Sequence, residues 1–447
     1  MHFIMRSLFV FVFSLVLITP AMAQDSLTLE QAIMAALKNN YDILLTRNDS
    51  ASYALDNSYA WAAFLPQLNG TATTTWNKNN QQLKFSKRDG SGGDSSVNRD
   101  AVKTHNTNYA LNLNWTLFDG LKMFATRNKL EELEKLGELG VKTQVINSVA
   151  AVVNGYYNIV RQKQQLKAIE EQISINEERV KLADKKLSVG LGSKPELLQA
   201  RVDLNAQKAA QLTQLTLINQ LRDNLNQLIG FRTGATYNVS DSIPLNTTFQ
   251  FGEFAQKFEE SNPSLLFAKK NIDIARITLK ERKADLFPVL TFNSAYNFTQ
   301  ADNSVAVNIN QPLFTRNKGF NYGFGLNVPI LNGFNTKRLI KQAELDIRYQ
   351  QLVYDNQRSQ IDVGLSNSFK DYELQKRLLA LEEDNIALAK ENVMIALERF
   401  RQGVSTFLEL REAQISLQDA YNRLIAARYN TKLAETELLR LKGDLVK

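Results

Sequence analysis

The sequence predicts a mainly α-helical chain that also carries a membrane β-barrel segment, built as an internal duplication. Three observations lead there. Residues 187–204 (LSVGLGSKPELLQARVDL) return without a gap as residues 400–417 (FRQGVSTFLELREAQISL), Gly190 aligning with Gly403, Glu196 with Glu409, Leu197 with Leu410, Ala200 with Ala413 and Leu204 with Leu417. In both copies a long helical periodicity stops at a glycine and restarts after a short polar turn, as two helices folded back on each other would. Four short stretches elsewhere alternate apolar and polar residues, two before each hairpin. A unit that returns at a fixed offset, 403 − 190 = 213 residues, marks a duplicated fold.

Composition narrows the chemistry. The chain has 447 residues and no cysteine, which excludes disulfides, thiolate metal sites, cysteine nucleophiles and a lipid anchor on an N-terminal cysteine. His2 falls in a leader, leaving His105 alone. Zinc and iron sites normally need several imidazoles or thiolates, so no metal and no cofactor are expected. With no histidine besides His105 to pair with a serine, and no acid pair that the pattern places in a pocket, the chain is not expected to be an enzyme. The net charge of +7 is finely mixed along the chain, which reads as solvated helix faces and not as a nucleic-acid footprint.

Residues 1–23 read as a secretory signal peptide. Arg6 gives the positive start, residues 8–18 the apolar core, and Ala21-Met22-Ala23 a cleavage site before Gln24. Beyond it no apolar run approaches the roughly 20 residues of a membrane helix, so spanning a membrane falls to strands.

The first repeat occupies residues 24–230. Residues 27–64 are helical, with Asn39-Asn40 as a local interruption, and stop at Leu65-Pro66 because a residue before proline is pushed out of the helical region. Residues 67–77 then place Leu68, Gly70, Ala72, Thr74 and Trp76 on one face of a strand. Residues 79–104, polar and rich in Gly, Ser, Asp and Asn, are expected to be a surface loop. A second strand, 108–118, sets Tyr109, Leu111, Leu113, Trp115 and Leu117 against Asn108, Ala110, Asn112, Asn114 and Thr116. The hairpin over 121–229 opens with a helix of about 69 residues, roughly 100 Å long at 1.5 Å per residue. After a connection at 231–252, the second repeat (253–447) restates the order. A helix stops at Phe287-Pro288, strands lie near 289–298 and 320–330 around a loop at 299–318, and a long hairpin fills 334–442.

The strands have the length that crosses a bilayer when tilted. A half-exposed soluble sheet is the other origin of such alternation, but helices this long and an export leader favour the membrane. Four strands are too few to close, and open edges in lipid cost several kcal/mol per unpaired group, so the barrel must be shared between chains. Two copies would supply eight strands and three would supply twelve, the latter leaving room for a lumen. Narrow apolar stripes on the helices (Leu197, Leu204, Leu215, Ile218, Leu225; Leu410, Leu417, Leu424, Leu438) suit packing side by side in a wall wet on both faces. Trp76, Tyr109, Trp115, Tyr296 and Tyr322 are candidates for the membrane-interface girdle.

The twice-run order of helix, proline, strand, loop, strand, long helix, glycine tip and helix is accompanied by matching strand ends. These read Leu113-Asn114-Trp115-Thr116-Leu117-Phe118-Asp119-Gly120 and Leu326-Asn327-Val328-Pro329-Ile330-Leu331-Asn332-Gly333. With the Val189-Gly190-Leu191 tip, this layout resembles the TolC-like outer membrane efflux protein family (outer membrane factors) over essentially the whole mature chain. The resemblance implies a homotrimer with a twelve-stranded β-barrel in the cell outer membrane of a Gram-negative bacterium, continuous with a long α-helical coiled-coil barrel in the periplasm. It implies a passive exit duct of a tripartite efflux or type I secretion system. Such a duct contacts outer-membrane lipid and docks to a periplasmic adaptor (membrane fusion) protein and an energised inner-membrane transporter. The docking tips it implies are Val189, Gly190, Leu191, Gly403, Val404 and Ser405.

The resemblance also implies a periplasmic gate of stacked acidic rings at Glu409 and Glu412, six and nine residues past Gly403, with both carboxylates on one helix face. Ordinary solvated glutamates are the alternative. Family tips are latched by an aromatic hydroxyl and an arginine. The matching positions here are Phe400 and Ser405, which cannot make those links, with Arg399 and Arg401 close by. The alternative function is an exported structural or adhesive coiled coil without channel activity.

Overall fold

The computed structural model describes residues 26–86, 94–246, 248–255, 258–306 and 312–446. The leader expected at residues 1–23 lies outside them. Helix α1 (Leu29–Asn39) starts where the Thr28 hydroxyl accepts from the Gln31 N–H and the Gln31 side chain accepts from the Thr28 N–H, a reciprocal cap. Helix α2 (Tyr41–Ser58) and a 3-10 turn (Ala60–Phe64) lead to Pro66, after which come β1 (Gln67–Ser86), β2 (Asp94–Phe118), α3 (Lys122–Ser188) and α4 (Lys194–Ile229). Two short helical turns, Phe251–Ala255 and Phe258–Ser261, lie at the start of the second repeat. It continues with α5 (Pro263–Ala284), β3 (Val289–Asn303), β4 (Phe314–Asn327), α6 (Asn335–Arg401) and α7 (Phe407–Lys442).

The duplication is carried in the backbone. Helices α3 and α6 each have 67 residues, α4 and α7 each have 36, and all four pairs of ends differ by 213 positions. The left-handed pair Gly120-Leu121 that launches α3 returns as Gly333-Phe334 before α6. The ends of α4 and α7 are clamped by a device that composition does not advertise. Asn40 is buried, donates from Nδ2 to the Leu228 carbonyl at 2.8 Å, and accepts at Oδ1 from the Ile43 N–H at 3.1 Å. In the second repeat Asn262 donates to the Leu441 carbonyl at 2.7 Å and accepts from the Leu265 N–H at 3.1 Å. One amide thus ends a helix, starts the next and ties off a third. Asn40→Ala should lower stability by about 2 kcal/mol, since it strands a buried donor and a buried acceptor. Asn40→Asp, which keeps the acceptor, should lose less; circular-dichroism melting of the two variants checks the order.

The four strands form one antiparallel sheet in the order β1-β2-β3-β4. Its register puts the apolar sets of all four on one face. Leu113 pairs with Leu68 and Ser294, Leu111 with Gly70 and Tyr296, Tyr109 with Ala72 and Phe298, and Trp115 with Phe292. On the far side Phe292 pairs with Phe324, Ser294 with Tyr322 and Tyr296 with Phe320. The Phe292 and Phe324 rings lie 5.2 Å apart and the Tyr109 and Phe298 rings 5.7 Å apart, as cross-strand neighbours do.

Three stretches differ from the sequence expectation. Much of 79–104 is strand and not loop, because β1 and β2 stay paired out to Ser86↔Asp94 with an irregularity at Asn79/Gln81. Most of its pairs are polar, such as Gln82↔Asn98 and Lys84↔Ser96, with Leu83↔Val97 the apolar exception, so a largely polar sequence hides a regular ladder. The expected loop at 299–318 is shorter for the same reason, β3 running to Asn303 and β4 starting at Phe314. In contrast β4 stops at Asn327 instead of residue 330, since Pro329 has no N–H to give the ladder.

The described chain forms two compact units. One comprises Ala51–Leu136 and Ala268–Val353, and holds the sheet with the helix ends that feed it. There Glu281 of α5 accepts from Thr126 and Lys129 of α3 at 2.9 and 3.0 Å, and Lys122 reaches Asp285 at 2.8 Å. The other unit is helical and holds the main core. Ala32 and Ala36 of α1 pack with Val152, Tyr156 and Ile159 of α3 and with Leu225 and Ile229 of α4. A second cluster gathers Leu265, Leu365, Tyr372 and Leu438. No helix among the described residues is long and apolar enough to cross a membrane.

Candidate functional site at the hairpin tips

The two tips are built alike. Gly190 and Gly403 both take φ +76°, a backbone region that L-residues other than glycine rarely enter. At the first, Gly190 N–H bonds the Leu187 carbonyl at 3.1 Å and Leu191 N–H the Lys186 carbonyl at 2.9 Å. At the second, Gly403 N–H bonds Phe400 at 3.2 Å and Val404 N–H bonds Arg399 at 3.0 Å. This is the glycine-ended helix stop that ties off the last free carbonyls. The return helix is then capped by Ser193 accepting from Glu196 N–H, or by Thr406 accepting from Glu409 N–H.

What the tips present is apolar and uncovered. Leu191 is 83% exposed and Val404 70%, with Val189 and Leu408 also open. Of the six expected docking positions, Ser405 differs: it is buried, its hydroxyl turned to the Thr406 carbonyl. Glu409 and Glu412 are both exposed on α7, and neither has an ion-pair partner among the described residues. Glu409 also sits in the first turn of α7, where a carboxylate favours the positive end of the helix dipole; Glu412, one turn on, has no such local role.

Links between the hairpins exist, but next to the tips they use other side chains than an aromatic hydroxyl. Phe400 is buried with Ala200, Phe407 and Leu410, and the Lys186 ammonium lies 3.7 Å from its ring centre while donating to its carbonyl at 2.8 Å. Arg401 reaches Glu178 at 3.2 Å. Farther from the tips Tyr421 donates to Glu171, and Gln165 bonds Asn422 at 2.7 Å. Of the side chains that make these four links, the sequence singles out only Phe400 and Arg401. Lys186, Glu178 and Glu171 lie inside long charged helices where spacing gives no signal.

The aromatic candidates spread along the sheet. Trp115 lies near the helical end, its Nε1–H donating to the Phe64 carbonyl at 2.8 Å. Trp76 pairs with His105 ten positions away along β2, and its ring stacks on the imidazole at 4.9 Å. At about 3.4 Å per residue that is roughly 34 Å along the strand, or about 25 Å across a bilayer at the usual tilt. Tyr109, Tyr296 and Tyr322 fall between the two tryptophans.

A family profile described as "Outer membrane efflux protein" matches residues 32–231 and 254–444, one segment in each repeat. The chain is 22% identical over 438 residues to the outer membrane efflux protein BepC of Brucella suis, covering 94% of this chain and 86% of that one. It is 22% identical over 308 residues to the outer membrane protein TolC of Vibrio cholerae, covering 66% and 68%. Among solved structures, the outer membrane protein VceC of Vibrio cholerae superposes with a TM-score of 0.74 at 15% identity, covering 93% of this chain and 96% of that one.

Proposed function

Because this chain belongs to the outer membrane efflux protein family, and is thus an outer-membrane exit duct reaching into the periplasm, we propose that it works as a homotrimer. In this reading the sheets of three copies close into one twelve-stranded barrel. The observation that carries it is the sheet itself, with one apolar face and two strands, β1 and β4, each left with an unpaired edge among the described residues. An apolar face suits lipid, and lipid forbids open edges, so closure needs further copies. Trp76 and Trp115 would then mark the two membrane interfaces. The exposed tips would dock to a periplasmic adaptor, and through it to an inner-membrane transporter of an efflux or type I secretion assembly. The duct itself would be passive and not an enzyme.

Membrane fractionation tests this reading. The protein should be recovered with outer membranes and migrate as an oligomer that heating in detergent converts to monomer. Recovery as a soluble periplasmic monomer would overturn it in favour of a structural coiled coil.

A further inference from the structure

One polar cluster of the helical unit is short of acceptors. Arg179 of α3 is 1% exposed, and its guanidinium lies between the hairpins. Its Nη2 donates to Asp203 Oδ2 of α4 at 2.5 Å, and its Nη1 donates to Gln414 Oε1 of α7 at 2.7 Å. Arg411 Nε stands 3.4 Å from the same Asp203 oxygen, and the Phe407 ring centre is 4.9 Å from the Arg179 guanidinium. Three buried donors nevertheless have no partner among the described residues: Arg179 Nε, Gln414 Nε2 and Gln172 Nε2. The nearby unpaired acceptor is Gln207 Oε1. Flipping the Gln414 amide does not help, because its oxygen is held by Arg179.

These side chains line a cavity of about 130 Å³ together with Asn176 and Gln418. Its charge is unbalanced, with the guanidiniums of Arg179 and Arg411 facing the single carboxylate of Asp203. Burial pulls the Arg179 guanidinium below its usual range while Asp203 holds it up, so an added negative charge here would relieve a desolvated cation. Water serves such a place poorly. Water can accept from the orphaned donors, but it carries no charge to offset the second guanidinium.

We propose that this cavity binds a small inorganic anion of halide size, held by Arg179 Nε–H and the side-chain amides of Gln172 and Gln414. The anion takes every orphaned donor and cancels the surplus positive charge. Since its holders come from α3 and α7, it also fastens the first hairpin to the second within one protomer. The site is distinct from Glu409 and Glu412, which lie exposed on α7.

The full-length protein in detergent serves for the test. Crystals grown in sodium bromide should show an anomalous peak inside the cavity. Melting in sodium chloride, against sodium gluconate at equal ionic strength, should rise saturably by about 2 °C or more. Gln414→Glu sets a tethered carboxylate beside Arg179; it should remove the peak and make melting indifferent to halide, while melting in gluconate stays at least as high as in the parent. Should that variant fail to fold, Gln172→Leu deletes one donor and should raise the half-saturating halide concentration about tenfold. A cavity holding only water in bromide overturns the proposal. So does a halide response that survives Gln414→Glu, or a half-saturation that Gln172→Leu leaves unmoved.

Discussion

Replacing Leu191 and Val404 together with aspartate is expected to abolish export while leaving the assembled channel intact. The two halves of that expectation rest on different physics. Within the protomer both side chains project from turns into open space, 83% and 70% exposed, so exchanging them costs the fold little. The glycines that make the turns, Gly190 and Gly403, are untouched. For a partner that seats on the tips, the same residues are the natural anchors. They are the most exposed aliphatic side chains of their turns, flanked by Val189 and Leu408. Truncating an interface anchor costs about 2 kcal/mol or more, roughly thirtyfold in affinity, and a buried unpaired carboxylate adds a desolvation penalty. In a trimer each substitution is felt three times. Complementation of a deletion strain and cross-linking to the adaptor provide the measurements, with the heat-modifiable oligomer as control for assembly. Normal export by the double variant would take docking away from the tips.

Much of this architecture was legible because it follows from periodicity, and periodicity is local. The offset of 213 read at Gly190 and Gly403 holds for the ends of all four long helices. The alternation from Tyr109 to Leu117 specifies which face of the sheet is apolar. Features that escaped depend on partners distant in sequence. Asn40 looks like a helix interruption until Leu228 is placed beside it. Arg179, Asp203 and Gln414 each read as an ordinary polar position on a helix, and only packing of three helices makes them one buried cluster. The outer part of β1 and β2 escaped for the opposite reason: its pairs are mostly polar, and the isolated Leu83↔Val97 pair leaves too little alternation to read as a strand.

Replacing Glu409 and Glu412 with glutamine should raise the concentration of divalent cation needed to block the channel in planar bilayers by tenfold or more, about 1.4 kcal/mol in binding free energy. Both carboxylates are exposed, stand three positions apart on α7, and have no cation of their own among the described residues. Three copies of α7 around a closing tip would bring six such charges together, where mutual repulsion favours capture of a divalent ion. Glutamine keeps the shape and removes the charge. The two positions can be told apart. Glu409 serves the first turn of its helix, so Glu409→Gln should also cost a few tenths of a kcal/mol in stability. Glu412 has no such duty, and Glu412→Gln should relax the block with melting unchanged. Raising monovalent salt should weaken block in the parent and matter less in the double variant, because screening acts only on charges that are present. Block unchanged in all three variants would return both residues to the solvated face of an ordinary helix.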